Sequence, residues 1–204
     1  MKKIMVMLKM AISRVNIRNV ILVLLLVFLI APMASADTNI AIKQTNGPSA
    51  GAIMLGMGFS PQNPNIAYAN RYKSIDGGNT WLELEIPKGG EVHNIAVDPK
   101  NPDIVYIAIF NVLYKSIDGA KTWKKLTTFG VDQDSEGWNW RSASSITISP
   151  ANSSIIYAGT THGNVYKSTT SGESWIDISD KFKVSSPISS ISFNPKNTQE
   201  IFIS

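Results

Sequence analysis

The chain of 204 residues contains no cysteine, so disulfides, thiolate nucleophiles and thiolate metal sites are excluded. Histidine is nearly missing as well. His93 and His162 are the only two, and neither has a partner in sequence that would support a histidine-dependent triad. An excess of charge is also absent once the first residues are set aside. Lys2, Lys3, Lys9, Arg14 and Arg18 fall in the opening nineteen positions, leaving 14 Lys and Arg against 15 Asp and Glu, a balance of −1. No basic surface for nucleic acid survives that subtraction. Long apolar runs are lacking too. The longest, Val20 to Ala31, has twelve residues, short of the roughly 20 that cross a bilayer. Behind a basic start and ahead of Ala34-Ser35-Ala36, it reads as a secretory signal peptide covering residues 1–36. The expectation is export, extracellular or at the cell surface, with membrane contact only during translocation. A retained anchor is the alternative.

What the chain has is repetition. Tyr72-Lys-Ser-Ile-Asp-Gly-Gly-Asn-Thr-Trp81 returns as Tyr114-Lys-Ser-Ile-Asp-Gly-Ala-Lys-Thr-Trp123, and in altered form as Tyr166-Lys-Ser-Thr-Thr-Ser-Gly-Glu-Ser-Trp175. Recurrence of a ten-residue string three times signals an internal repeat. Each copy sets β-branched and aromatic residues around a polar, glycine-containing centre, which reads as two strands joined by a tight turn. Short polar side chains such as Ser74 and Asp76 suit hydrogen bonding to the turn's own backbone.

The pattern Ser-x-Asp-x-Gly-x-Thr-Trp resembles the Asp-box, or BNR repeat, of sialidases, xyloglucanase-type endoglucanases, sortilin-type receptors and photosystem II assembly factors. Ser74, Asp76, Gly78, Thr80 and Trp81 match at every position. The second copy keeps Ser116, Asp118, Thr122 and Trp123, with Ala120 at the glycine position. The third keeps Ser168, Gly172 and Trp175, with Thr170 for the aspartate and Ser174 for the threonine. The resemblance implies a β-propeller with these residues in a structural role. Calcium at Asp76 or Asp118 is a minor alternative, since each box offers one carboxylate; no metal and no cofactor are expected.

A second phrase recurs between the boxes, with prolines at 61, 99, 150 and 195. Proline cannot donate to a strand ladder and suits a turn, so each phrase reads as strand, Pro-Asn turn, strand. One full period then holds four strands. In the second repeat these are about His93–Val97, Asp103–Ile109, Val112–Lys115 and Thr122–Leu126. Four strands every 40 to 50 residues is the signature of a propeller blade; a β-sandwich with coincidental turns is the competing reading. The expected organisation is an all-β propeller domain over 37–204, with antiparallel blades near 52–86, 92–127 and 144–178 and a partial blade over 188–204. Asn39 to Lys43 alternates briefly and is a candidate lone strand. Propellers usually close with 4–8 blades, so the expectation is an incomplete propeller, its missing blades supplied by a longer chain or by self-association.

Connectivity sorts the loops. Pro-Asn turns and Asp-boxes share one edge of the blades; loops between second and third strands, and between blades, share the other. In the resembling families the second edge carries the functional site. Here it holds Asn70-Arg71, Phe110-Asn111, Thr160–Asn164, Ile86–Glu91, Thr127–Ala143 and Ser179–Pro187. The Thr127–Ala143 loop is the longest and concentrates Asp132, Asp134, Glu136, Trp138, Trp140 and Arg141. Long loops in compact domains are often functional, and flat aromatics beside carboxylates suit sugar rings. Three readings stay open for it: ligand contact, tryptophans that pack between blades, or a cation site at Asp132, Asp134 and Glu136.

Catalysis finds less support. A glycosidase of the usual type needs two carboxyl groups flanking the scissile bond. The Thr-Asp-x-Gly-Gly segment of xyloglucanase-type enzymes is missing after Tyr68, and Arg71 and Arg141 are too few for a sialidase arginine triad. No catalytic residue is assigned. The leading expectation is a secreted, non-catalytic propeller that binds extracellular polysaccharide or protein. The alternatives are the N-terminal part of a glycoside hydrolase, xyloglucanase- or sialidase-like, or an assembly scaffold for a membrane complex.

Overall fold

The computed structural model describes Gly47 and residues 56–88, 90–130, 143–182 and 186–204. All belong to one unit, Gln44–Ser204. The expected signal segment, the strand at 39–43 and the residues from Asp132 to Arg141 lie outside them.

Three four-stranded antiparallel sheets follow one another in the chain. The first contains β1 (Met57–Phe59), β2 (Ala67–Ala69), β3 (Tyr72–Ser74) and β4 (Leu82–Glu83). The second contains β5 (Val92–Val97), β6 (Val105–Ile109), β7 (Val112–Ser116) and β8 (Lys124–Thr128). The third contains β9 (Ala143–Ile148), β10 (Ile156–Thr160), β11 (Val165–Ser168) and β12 (Ile176–Asp177). A hairpin of β13 (Ile191–Asn194) and β14 (Asn197–Ile203) comes last. Within each sheet the strands run in sequence order, so neighbours in the chain are neighbours in the ladder. Apart from a 3-10 turn at Ser179–Lys181, no helix occurs among the described residues. The architecture is all-β and propeller-like.

The first strand of each sheet packs on the first strand of the next: β1 on β5, β5 on β9, β9 on β13. A blade therefore has two buried faces. Ile95 and Val97 of β5 face back onto the first blade, joining Tyr68, Val105 and Ile107. Ala96, on the opposite side of the same strand, joins Tyr106, Ile146 and Ile148 toward the third blade. The alternation follows from the two-residue period of a strand. Met57 and Phe59 occupy in β1 the places of Ile95 and Val97 in β5, and they are 52% and 61% exposed.

The repeated turns are held by one buried hydroxyl each. Gly78 N–H donates to Ser74 Oγ at 2.8 Å, Ala120 N–H to Ser116 Oγ at 2.9 Å, and Gly172 N–H to Ser168 Oγ at 2.9 Å. Ser74, Ser116 and Ser168 are all fully buried. The carboxylate sits outside this bond. Asp118 Oδ1 accepts from Ser116 Oγ (2.7 Å) and from Thr122 N–H (2.9 Å), while Oδ2 accepts from Thr122 Oγ1 (2.6 Å). Asp76 repeats the arrangement with Ser74 and Thr80. In the third turn a hydroxyl replaces the carboxylate: Thr170 Oγ1 accepts from Ser174 N–H at 2.9 Å. Each turn also rests on the proline turn of its own blade, through Gly77 N–H to Asn65 O, Gly119 N–H to Asp103 O and Ser171 N–H to Ser154 O. Both kinds of turn thus share one edge.

Ser116→Ala leaves a buried backbone N–H unpaired, a loss of about 1–3 kcal/mol. Thermal melting should fall by about 3–10 °C, and an unchanged melting temperature would remove the hydroxyl from the account. Hydrogen bonds from Thr80 and then Ser74 lower the Asp76 carboxyl from its usual 3.8 to about 2, and Thr122 lowers Asp118 in the same way. A depressed carboxyl pKa contributes stability above the unfolded value, which is lost as pH falls through the folded value. Denaturant midpoints should therefore drop between pH 4 and 2, with a shallower drop in an Asp76→Asn, Asp118→Asn variant.

Candidate functional site

The opposite edge carries the connections between second and third strands and between blades. A cleft of about 380 Å³ opens there, lined by Asn70, Arg71, Tyr72, Gly90 and Glu91. Asn70 and Arg71 form the two-residue loop between β2 and β3. Asn70 is buried at φ 51, a left-handed conformation that asparagine tolerates better than most residues. Its N–H donates to Gly56 O at 2.8 Å, and its Oδ1 accepts from Val92 N–H at 3.4 Å. The cleft floor is therefore tied to the start of the second blade. Arg71 Nη1 meets Glu83 Oε1 at 3.4 Å, with both side chains about half exposed. A surface pair of this kind is worth about 0–1 kcal/mol, so both groups remain accessible to a ligand.

The equivalent loop of the second blade is Phe110-Asn111, between β6 and β7. Phe110 stands at φ 52 with 38% of its surface exposed. A bulky residue in that region costs about 1–3 kcal/mol. Its ring lies over Gly90, where an added Cβ would overlap Phe110 Cε2, and packs against His93 with centroids 5.0 Å apart. His93 reaches it because β5 carries a bulge between Val92 and Asn94, leaving His93 without a cross-strand partner. Bulges of this kind re-aim a side chain. Burial lowers the His93 pKa, partly opposed by the Glu91 carboxylate, so the ring is neutral at neutral pH. Glu91, His93 and Phe110 thus extend the cleft wall from one blade to the next.

The expected ligand-contact residues Asp132, Asp134, Glu136, Trp138, Trp140 and Arg141 lie outside the described residues, but the two ends of their stretch do not. Phe129 N–H donates to Asn111 O at 2.8 Å, and Ala143 N–H donates to Phe110 O at 2.9 Å. Phe129 and Ala143, described residues on either side of that stretch, therefore both bond to the Phe110-Asn111 loop. The third blade's loop is closed on itself: Thr160 Oγ1 accepts from Asn164 N–H at 3.1 Å, and Val165 N–H donates to Ser179 Oγ at 3.0 Å. Among the described residues, no group of three or more His, Asp or Glu stands close enough to hold a metal ion.

Sequence reasoning placed Asn70, Arg71 and Phe110 on this edge but did not single them out. Glu91 appeared as a loop end and His93 as a strand opener. The available signal was Phe110 itself, a large apolar residue in a two-residue hairpin loop. The strained backbone and the bulge needed the structure.

Comparison with protein-family models and with curated proteins finds no match. Solved structures similar to the chain are β-propellers. The GH74 enzyme of Niastella koreensis is 23% identical with a TM-score of 0.60, over 71% of this chain and 25% of that one. The GH74 xyloglucanase of Xanthomonas campestris is 16% identical with a TM-score of 0.56, over 78% and 28%. YCF48 bound to D1 peptide is 12% identical with a TM-score of 0.50, over 74% and 45%. The chain spans about a quarter of the GH74 enzymes it matches and under half of YCF48. At these identities the likeness establishes the fold.

If the Phe110 conformation is strained for a purpose other than packing, Phe110→Asn should leave the melting temperature equal to the parent or raise it by about 2–4 °C, as Asn70 holds the same place in the first blade. Gly90→Ala should destabilise, because the site has φ 132 and the new Cβ meets the Phe110 ring. A clear loss of stability in Phe110→Asn would assign the ring to packing.

Proposed function

We propose that the chain is an exported Asp-box propeller module, cleaved near Ala36, that binds an extracellular ligand on its loop edge without acting on it chemically. Polysaccharide is the first choice and protein the second. The observation that carries the reading is the strained, partly exposed Phe110 ring beside a polar cleft lined by Arg71 and Glu91, with Glu83 paired to Arg71. The apolar faces of a sugar ring or of a peptide side chain suit the phenyl group, and guanidinium and carboxylates suit hydroxyls or amides. Trp138, Trp140, Arg141, Asp132, Asp134 and Glu136 are proposed as further contacts from their composition, and this draws support from Phe129 and Ala143, on either side of them, which bond to the Phe110-Asn111 loop.

The binding reading is favoured over hydrolysis by the make-up of the cleft. A glycosidase of the usual type needs two carboxyl groups flanking the scissile bond, and among the described residues lining the cleft Glu91 is the one carboxylate. The second reading, a glycoside hydrolase whose acid and base lie on further blades, is favoured by the likeness to GH74 enzymes over a quarter of their length. A scaffold role draws on the likeness to YCF48 with its bound peptide. In either case further blades, from a longer chain or a second copy, would complete the ring.

In affinity gels containing soluble xyloglucan, Phe110→Asn and Arg71→Ala should each weaken retention, and the paired Trp138→Ala, Trp140→Ala variant should do the same. Melting temperature should stay within about 2 °C of the parent or rise in each case. Retention that is unchanged in all three would discard the loop edge as a polysaccharide site.

A further inference from the structure

In the first and third blades, the tryptophan that ends the repeated turn folds back onto it. Trp81 Nε1 donates to Gly78 O at 3.2 Å, and Trp175 Nε1 donates to Gly172 O at 2.9 Å. The second blade breaks this arrangement. Trp123 Nε1 donates instead to Glu85 O of the preceding blade, at 3.1 Å.

The same turn carries alanine where the others have glycine. Ala120 is buried at φ 72, in the region occupied by Gly78 at φ 85 and Gly172 at φ 87. A Cβ added to Gly172 would meet Leu126 Cδ1 at 2.7 Å and the Trp175 ring at 3.7 Å. The tight approach is to Leu126 of the preceding blade, and the indole stands at ordinary contact distance, so an alanine at this position crowds the interface between blades besides imposing backbone strain. The altered indole bond and the alanine occur together, in one turn of three.

Beside that indole lies a cleft of about 410 Å³, lined by Lys115, Ile117, Thr122, Trp123, Lys124 and Glu173. Ile117 is 69% exposed. Lys124 Nζ meets Glu173 Oε2 at 2.7 Å and Oε1 at 2.9 Å across the two blades. Such an exposed pair adds little to stability, and it places a donor and an acceptor together at an aromatic surface. A pyranose ring offers the matching chemistry, with apolar C–H faces and hydroxyls around its edge.

We propose that this cleft is a second binding site, on the turn edge, in which Trp123 and Ile117 meet the face of a polysaccharide's pyranose ring and Lys124 and Glu173 take its hydroxyls. It is independent of the loop-edge reading, because it shares no residue with that cleft.

The test uses the intact chain carrying Phe110→Asn, Arg71→Ala, Trp138→Ala and Trp140→Ala together, which removes the loop-edge contacts, with soluble xyloglucan as the probe in affinity gels. Residual retention is expected. Ala120→Gly, which relieves the strain and lets the indole return to its own turn, should raise the melting temperature by about 2–4 °C. It should also weaken the residual affinity about ten-fold. Lys124→Ala should weaken the affinity with no change in melting temperature, which separates binding from folding. Absence of residual retention would overturn the proposal, as would a stabilised Ala120→Gly protein that is retained as before.

Discussion

Every blade must bury both faces of its sheet, and a blade can do so only against another blade. The sequence meets this demand with a tyrosine and a lysine at paired positions of the second and third strands. Tyr68 and Lys73 face one another across β2 and β3, Tyr106 and Lys115 across β6 and β7, with each ammonium 5.4 Å from the ring centroid. Each lysine then crosses to the next blade: Lys73 Nζ donates to Gly119 O at 2.9 Å, Lys115 Nζ to Ser171 O at 3.4 Å. The acceptors are backbone carbonyls of the repeated turn. That turn fixes its carbonyls through the buried Ser Oγ bond, so local turn chemistry and blade-to-blade packing are one system. Burial lowers the Lys73 pKa and raises both tyrosine pKa values, as expected for polar groups drawn into an apolar interface.

With the turn edge fixed in this way, the loop edge is left free to vary. Two-residue loops in the first and second blades hold different residues at the same backbone position, Asn70 at φ 51 and Phe110 at φ 52. Asparagine fits that conformation and phenylalanine does not. The strain at Phe110 is tolerable because the surrounding strands determine the hairpin: β6 and β7 pair without a break over five residues. A rigid scaffold thus holds an apolar ring at the mouth of a charged cleft. This link from sheet pairing to an exposed ring is what connects the fold to a binding function.

Much of the fold was legible because repetition carries its own check. The recurring Tyr-Lys-Ser strings mark β3, β7 and β11, and the prolines at 61, 99 and 150 mark the turns between first and second strands. The four expected strands of the second repeat agree with β5 to β8 to within about two residues at most ends. The site was far less legible. Hairpin length can be read from spacing, but the φ of Phe110 depends on the register of β6 and β7. The bulge at His93 leaves no mark in its residue type, since its counterpart six residues before the next repeat's proline is Ser144. Composition makes the long loop with Trp138 and Trp140 conspicuous. The bonds of Phe129 and Ala143 to the Phe110-Asn111 loop are backbone contacts that composition cannot show.

The measurement that bears most directly on the loop-edge claim is amide hydrogen exchange of the intact chain, with and without soluble xyloglucan at saturating concentration. Slowed exchange at residues 70–72, 90–93 and 110–111 would place the ligand on the strained ring and its cleft. Exchange at those residues that is unchanged by a polysaccharide the protein demonstrably retains would contradict the account and remove Phe110 from the binding surface.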